Sequence, residues 1–386
     1  MRAQHAAMSA TPCHSRHWFE TLPEHSQRHF LASDAHDIYI QIDDKPLLNF
    51  ASNDYLGLRS HPSLANIAIQ HIQTHGIGSG ASRLVSGDSH EFHALETELA
   101  AWKGYESCLI VGSGMLANIG LIQALADRNT LVFSDKLNHA SLIDGVRLSG
   151  AKSCRFPHLD DNALQTMLAK HHAAKRIIIS DGVFSMDGDC ANAKRLLSLA
   201  EEHNTLLIMD DAHGTACLGE GNRGLTHEIA GHERLIEVGT LGKAFGGYGA
   251  FILGTFELID GLKQRMRTMI YSTALPTFMP AAMRQSLKLI QKGTLQNQLH
   301  NNIQSFRAQT AKLNLVPSNT AIQAFIIGDN QAALHASQQL RDMGLFVPAI
   351  RPPTVPEHTA RLRITLSANH QPEHITQLAQ ALATIA

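Results

Sequence analysis

Cysteine is scarce in this chain and badly placed for structural use. Among 386 residues there are five, Cys13, Cys108, Cys154, Cys190 and Cys217. The number is odd, the spacing is wide and no C-x-x-C pair occurs, which argues against a disulfide framework and against a zinc site. Charge of one sign is also missing: the formal net charge is −2. No basic excess points to nucleic acid and no long charge run suggests an interaction tail. No apolar run approaches the roughly 18 residues of a membrane helix. The opening stretch MRAQHAAMSATPCHSRHW lacks the apolar centre of a signal peptide. These absences lead us to expect a cytoplasmic protein with no membrane or nucleic-acid partner and no metal.

What is present suits a large buried core. Hydrophobic residues make up 44% and charged residues 17%, a balance that argues against disorder. The length suggests two or three domains. Histidine is so abundant, at 24, that no single one carries an argument alone.

Residues 1–45 are polar and rich in histidine, with weak helical periodicity near 18–30, and read as an N-terminal arm. The stretch 76–87, GIGSGASRLVSG, is a loop by its glycine and serine content. Asp88 or Ser89 then caps a helix whose inner face carries Phe92, Leu95, Leu99 and Trp102, and Gly104 ends it. Short apolar runs follow in alternation with helical stretches, and predict strands over 107–111, 130–134, 176–180, 205–209, 235–240 and 249–253. Most are apolar throughout, as strands covered on both faces are, and the alternation implies a mostly parallel α/β sheet. LPTFMP, at 275–280, breaks the pattern. Beyond it, helices over 281–313, 330–343 and 371–385 mix with strands over 322–327 and 361–366. The expected division is an arm (1–45), a large α/β domain (46–276) and a smaller α+β domain (277–386).

Ligands of open α/β sheets bind beyond the carboxyl ends of the strands, so the residues after each strand matter most. After 107–111 comes GSGMLANIG. Gly112, Gly114 and Ala117 fit the dinucleotide fingerprint G-x-G-x-x-A, and Asp135 stands about where the ribose-binding acid belongs. The motif alone leaves three readings open: NAD, a phosphate of another kind on a helix N-terminus, or a plain tight turn. After 205–209 comes DDAHG, with Asp210 at the strand end and His213 three residues on. The bland alternative is a capping aspartate beside an incidental histidine. After 235–240 comes TLGKAFGGYGA. Its Lys243 has only small or apolar neighbours, and a desolvated lysine becomes a nucleophilic amine that forms Schiff bases with carbonyls.

One cofactor accounts for all three places. Pyridoxal 5′-phosphate offers Lys243 an aldehyde. Its phosphate suits the helix N-terminus at Gly114 and Met115, its pyridine nitrogen needs a carboxylate such as Asp210, and its 3-oxygen suits His213. NAD leaves Lys243 and Asp210 without a task.

SDKLNHASLIDGVRLSGA, DGVFSMDGD, DDAHGTACLGEGNRG, TLGKAFGGYGA and IYSTALP, in this order from about Asn49 onward, resemble the α-oxoamine synthase family of fold-type-I pyridoxal phosphate enzymes (the aspartate aminotransferase-like fold). The resemblance implies further roles. His139 stacks on the cofactor ring and shares catalytic duty with Lys243, Asp210 and His213. Ser185 contacts the cofactor near its 3-oxygen and Thr240 reaches the phosphate. Ser272 and Thr273 complete the phosphate site from the second subunit of a homodimer. Arg351 binds the amino-acid carboxylate, a task suited to a planar guanidinium, with Thr354 beside it. Arg28 in the arm is the candidate for the acyl substrate. One departure is Ala81, where the family often has glycine in GSGGSR. The segment 349–368, AIRPPTVPEHTARLRITLSA, most resembles the branch that joins L-alanine to a pimeloyl thioester, carried by coenzyme A or acyl carrier protein. Sibling branches such as glycine C-acetyltransferase share the machinery, and a single methyl group, worth about 1–3 kcal/mol, separates alanine from glycine.

Overall fold

A computed structural model describes residues 33–386, together with Phe19, Gln27, Phe30 and Leu31. Arg28 lies outside these residues, as does most of the segment read as an arm. Where the end of that segment is described it is strand. It forms β1 (Asp34–His36) and β2 (Tyr39–Ile42), which pair antiparallel, and β2 pairs antiparallel in turn with β3 (Lys45–Asn49). The hairpin between β2 and β3 turns on Asp43 and Asp44, both at positive φ, as a two-residue turn matched to the strand twist requires.

Two helices, α1 (Pro62–His75) and α2 (His90–Lys103), precede the main sheet. Ser89 stands at the N-cap of α2 and Gly104 closes it in the left-handed region. Then follow β4 (Ser107–Val111), α3 (Gly114–Leu125), β5 (Thr130–Asp135), α4 (Ala140–Ser149), β6 (Lys152–Phe156), α5 (Asp161–Lys170), β7 (Lys175–Asp181), α6 (Ala193–Glu202), β8 (Leu206–Asp210), β9 (Leu235–Thr240) and β10 (Ala250–Gly254). The seven strands lie in the order β4-β10-β9-β8-β7-β5-β6. β10 is antiparallel to both its neighbours, and the others run one way.

The continuous apolar runs have their reason in two cores, one on each face of this sheet. Ile177, Ile179, Ile208, Ile236 and Val238 join α3 and α4 on one side. Ile178, Leu207, Met209 and Leu235 face α2, α5 and α6 on the other. β6 went unread in the sequence because Lys152–Phe156 is polar; among the described residues it is an edge strand paired only with β5, where one side needs no apolar cover.

After the sheet come α7 (Phe256–Arg265), α8 (Arg267–Ile270), α9 (Phe278–Ile290) and α10 (Thr294–Gln309). The single helix expected over 281–313 is divided at Gly293, whose φ of 75° ends helical geometry. β11 (Ile322–Gly328), α11 (Asn330–Asp342), β12 (Leu345–Phe346), β13 (Ala349–Ile350), β14 (Ala360–Thr365) and α12 (Pro372–Ile385) complete the chain. β11, β14 and β13 make an antiparallel sheet, while β12 pairs in parallel with β3. Backbone bonds from Thr365 to Phe50 (2.8 Å) and from Ala368 to Tyr55 (2.8 Å) tie residues 50–55 to the C-terminal sheet.

A buried ion cluster lies behind the C-terminal ends of β8 and β9. Lys103, 1% exposed, pairs with Glu237 and stands 3.6 Å from Asp211. Tyr105 donates to Glu237 at 2.9 Å, and Leu225 N–H to Asp211 at 3.1 Å. Burial pushes the Asp211 carboxyl up to about 7, against the pull of Lys103. The cluster holds the turn that follows Asp210. Replacing Lys103 with methionine leaves two buried carboxylates without a cation and is expected to cost about 3–5 kcal/mol of stability; urea unfolding at neutral pH measures the loss.

Candidate active site

The carboxyl ends of β5, β7, β8 and β9 open onto one side of the sheet. There Gly114, Met115, His139, Ser141, Asp181, Ser185, Asp210, Ala212, His213, Thr240 and Lys243 line a cavity of about 200 Å³. Eight of the residues singled out in the sequence are thus brought together.

Asp210 ends β8 and is held at both oxygens. Oδ1 accepts from Ala212 N–H at 3.0 Å, and Oδ2 from Asn118 Nδ2 at 2.6 Å. Asn118 stands four residues into α3 from Gly114 and also donates to Ser141 Oγ at 2.8 Å. Its own Oδ1 is buried and has no hydrogen-bond partner among the described residues. The carboxylate is therefore fixed in orientation rather than free to rotate.

α3 begins where the fingerprint glycines stand. Ser113 caps it by accepting from Leu116 N–H at 3.3 Å. A Cβ built on Gly114 meets nothing within 4 Å, so the space beside this helix N-terminus is open to a ligand. The dinucleotide alternative loses its acid. Asp135 is buried, accepts from Leu137 and Leu159 N–H, both at 2.8 Å, and pairs with His158 at 3.0 Å, so it holds the turn after β5 together.

Lys243 lies in the loop between β9 and β10. Gly247 N–H bonds Leu241 O at 2.9 Å and Gly246 N–H bonds Lys243 O at 2.8 Å. Gly246 has a φ of 72°, and a Cβ there would stand 2.4 Å from the Arg59 nitrogen, so only glycine lets the loop lie against residues 58–59. Thr240 Oγ1 donates to Gly249 O at 3.1 Å and accepts from Gly242 N–H at 3.2 Å. The lysine amine stands 2.8 Å from His213 Nε2. Desolvation lowers it to about 8, while Asp210 and Asp181 pull the other way. Burial, and then the charge of Lys243, holds His213 well below its ordinary value, so it is neutral.

His139 is the N-cap of α4. Its Nδ1 stands 2.8 Å from Ser141 Oγ, its backbone N–H donates to Asp181 at 2.7 Å, and burial lowers its ring below the usual histidine range. Asp181, paired in register with Asp210, is raised well above a normal carboxyl by burial and then by its neighbour's charge.

Several expected residues stand elsewhere. Ser272 and Thr273 lie with Gly112 and Thr268 in a separate small cleft. Arg351 and Thr354 follow β13 and are outside the cavity lining. Arg28 is not among the described residues. Others were missed. Asp181 ends its strand as Asp210 does, and one more residue on the expected strand would have exposed it. Asn118 has the i+4 spacing from Gly114. Arg363 carried no local signal: it donates to Ser185 O at 2.6 Å and to Asn53 Oδ1 at 3.2 Å, and its charge is felt at Lys243. Among the described residues no group of three or more histidines, cysteines or acids is arranged to hold a metal.

A desolvated amine, a braced carboxylate and an open helix N-terminus around one small cavity fit pyridoxal phosphate at each of its three anchoring points. Residues 45–382 match the model of class I and II aminotransferases. An 8-amino-7-oxononanoate synthase of Saccharophagus degradans is 47% identical, over 90% of this chain and 88% of the relative. The crystal structure of an 8-amino-7-oxononanoate synthase from Francisella tularensis superposes with a TM-score of 0.76 at 29% identity, over 88% of this chain and 97% of that one. A serine palmitoyltransferase of Sphingomonas wittichii gives 0.87 at 26%, over 90% and 89%.

Fold and site together define a fold-type-I enzyme dependent on pyridoxal phosphate. The chain belongs to the class I and II aminotransferase family, in its 8-amino-7-oxononanoate synthase branch.

An amine with a midpoint near 8 is about one-tenth neutral at pH 7, whereas an ordinary lysine near 10.4 is almost wholly charged. Acetylation of Lys243 in the cofactor-free chain, followed by peptide mass, is therefore expected to rise with pH and reach half its maximum near 8, about two units before surface lysines do.

Proposed function

We propose that the chain condenses L-alanine with a pimeloyl thioester, carried by coenzyme A or an acyl carrier protein. The products are 8-amino-7-oxononanoate, a biotin precursor, together with carbon dioxide and the free thiol. The observation that carries the reading is the meeting of Lys243, Asp210 and the α3 N-terminus in one cavity, in a chain 47% identical to a curated synthase of that name.

Bound there, pyridoxal phosphate supplies an aldehyde that takes up amino groups and a protonated ring that draws in the electron pair left at the α-carbon. Lys243 would hold that group at its aldehyde. Its neutral amine then takes the α-proton as general base. Asp210 keeps a proton on the pyridine nitrogen, and Asn118 and Ala212 keep its carboxylate from turning. The N–H groups of Gly114 and Met115 would bind the phosphate, aided by the helix dipole, with the Thr240 hydroxyl turning from Gly249 O to join them. His139, its imidazole pinned by Ser141, would hold the ring. Ser185 and His213 serve the 3-oxygen. Arg28 serves the acyl substrate.

Two guanidiniums compete for the alanine carboxylate. Arg351, with Thr354, follows from the resemblance to the family. Arg363, buried and already donating to Ser185 O and Asn53 Oδ1, is the alternative.

The reading includes a homodimer, with Ser272 and Thr273 of one subunit completing the phosphate site of the other. Ile77, Leu84, Val85 and Tyr271 are exposed, and Ala274 N–H bonds Ala81 O at 2.9 Å, so these apolar side chains belong to neighbouring segments suited to a subunit contact. The four described cysteines are free, in keeping with a cytoplasmic location.

Lys243→Ala is expected to abolish turnover and the visible absorption of the bound cofactor; near-normal activity would falsify the assignment. L-alanine with pimeloyl thioester is expected to exceed glycine or serine, and acetyl or palmitoyl thioesters, by at least about tenfold in kcat/KM. Whichever of Arg363→Lys and Arg351→Lys raises the KM for alanine by about 10- to 100-fold, with a smaller change for the thioester, identifies the carboxylate-binding residue.

A further inference from the structure

Behind His213 a line of hydrogen bonds runs away from the cavity. His213 Nδ1 stands 2.6 Å from Tyr55 Oη. Tyr55 Oη stands 3.2 Å from Asn53 Oδ1, and Arg363 Nη2 stands 3.2 Å from that same oxygen. Tyr55 is 1% exposed and His213 9%, so water has little access with which to rearrange the pairing.

The direction of every hydrogen in this line follows from what each group can donate. A guanidinium donates and never accepts, so the Asn53 atom facing Arg363 is the amide oxygen. That oxygen cannot donate to Tyr55, so the single phenolic hydrogen points to Asn53. The Tyr55 oxygen is left as the acceptor for His213 Nδ1, which must carry the imidazole hydrogen. Nε2 is then bare, and it faces the Lys243 amine. The other end of the line demands the same arrangement. An ammonium 2.8 Å from Nε2 has hydrogens and no lone pair, and would oppose an Nε2–H. The opposite arrangement would set two oxygens, those of Tyr55 and Asn53, lone pair against lone pair.

We infer that Tyr55 is a positioning residue: backed by Asn53 and Arg363, it fixes His213 as the Nδ1–H tautomer and so makes Nε2 the acceptor that holds a proton on the Lys243 amine. Charged and titratable groups facing this pair are Asp210, Asp181 and Asp211, which favour the ammonium, and Arg363, which opposes it; His139 acts on His213. The relay adds a directed acceptor to that field. It aims the amine and moderates the fall in its midpoint caused by burial. Tyr55 does this while touching neither the cavity nor, through its own atoms, the amine.

The inference rests on Lys243 as the reactive amine. Its test needs neither cofactor nor substrate, so a failure of the proposed reaction and a failure of the relay are told apart. The test is nitrogen NMR of ring-labelled histidine in the full-length cofactor-free chain below pH 7, with the His213 signals assigned by substitution. The wild type is expected to show a protonated Nδ1 and a bare Nε2. Asn53→Leu frees the phenolic hydrogen to turn to Nδ1, and is expected to invert the tautomer. Tyr55→Phe removes the partner of Nδ1–H, and is expected to lower the population of that tautomer. In both variants the midpoint of Lys243 acetylation is expected to fall by about one pH unit, a tenfold change in the dissociation constant. A general loosening of the fold would broaden the signals without exchanging the two nitrogens. A protonated Nε2 in the wild type overturns the inference even if neither variant folds. Variants that keep both the wild-type tautomer and the wild-type midpoint overturn it equally.

Discussion

An amine that must be uncharged to react is held beside carboxylates that favour its charged form. Burial lowers Lys243 toward neutrality and Asp210 and Asp181 raise it, leaving a midpoint of about 8. Neither influence alone would serve. Without desolvation the lysine would be an ordinary ammonium; without the acids it would lose its proton affinity and with it the ability to act as a base. The remainder of the site keeps those two influences in their places.

The sheet does this by register. Asp181 and Asp210 pair across β7 and β8, and Asp210 pairs with Val238 of β9, so the acid and the loop that carries Lys243 leave the sheet at the same edge. α3, packed on the face behind, presents its N-terminus at that edge and sends Asn118 to brace Asp210. Behind the turn, Lys103 binds Asp211 and Glu237. One carboxylate of the Asp210–Asp211 pair thus faces the cavity and the next faces a buried cation, because successive residues at a strand end point to opposite sides.

A second layer comes from far along the chain. The segment 50–55 is stitched to the C-terminal sheet, and this brings Asn53 and Tyr55 against Arg363 and His213. The polar line they form gives a direction to the hydrogens around the amine, which charge alone does not do. It also links the small C-terminal sheet to the chemistry at the end of the large one.

The apolar runs of β4, β5, β7, β8, β9 and β10 were legible because strands covered on both faces leave no room for polar residues. The same clarity extended to Lys243, Asp210, His213 and Gly114, whose setting at strand ends is local. The polar edge strand β6, the break at Gly293 and the strands at 34–42 were not legible, since pairing partners decide them more than composition does. Asp181 and Asn118 were within reach of a strand-end and a helix-spacing argument. Tyr55, Asn53 and Arg363 were not: Asn53 and Arg363 are 310 residues apart, and no local pattern records which distant side chain will share an oxygen. The sequence by itself determined which groups could do the chemistry. Only the tertiary structure decided their charge and the direction of their hydrogens, because both depend on burial and on neighbours that folding alone brings together.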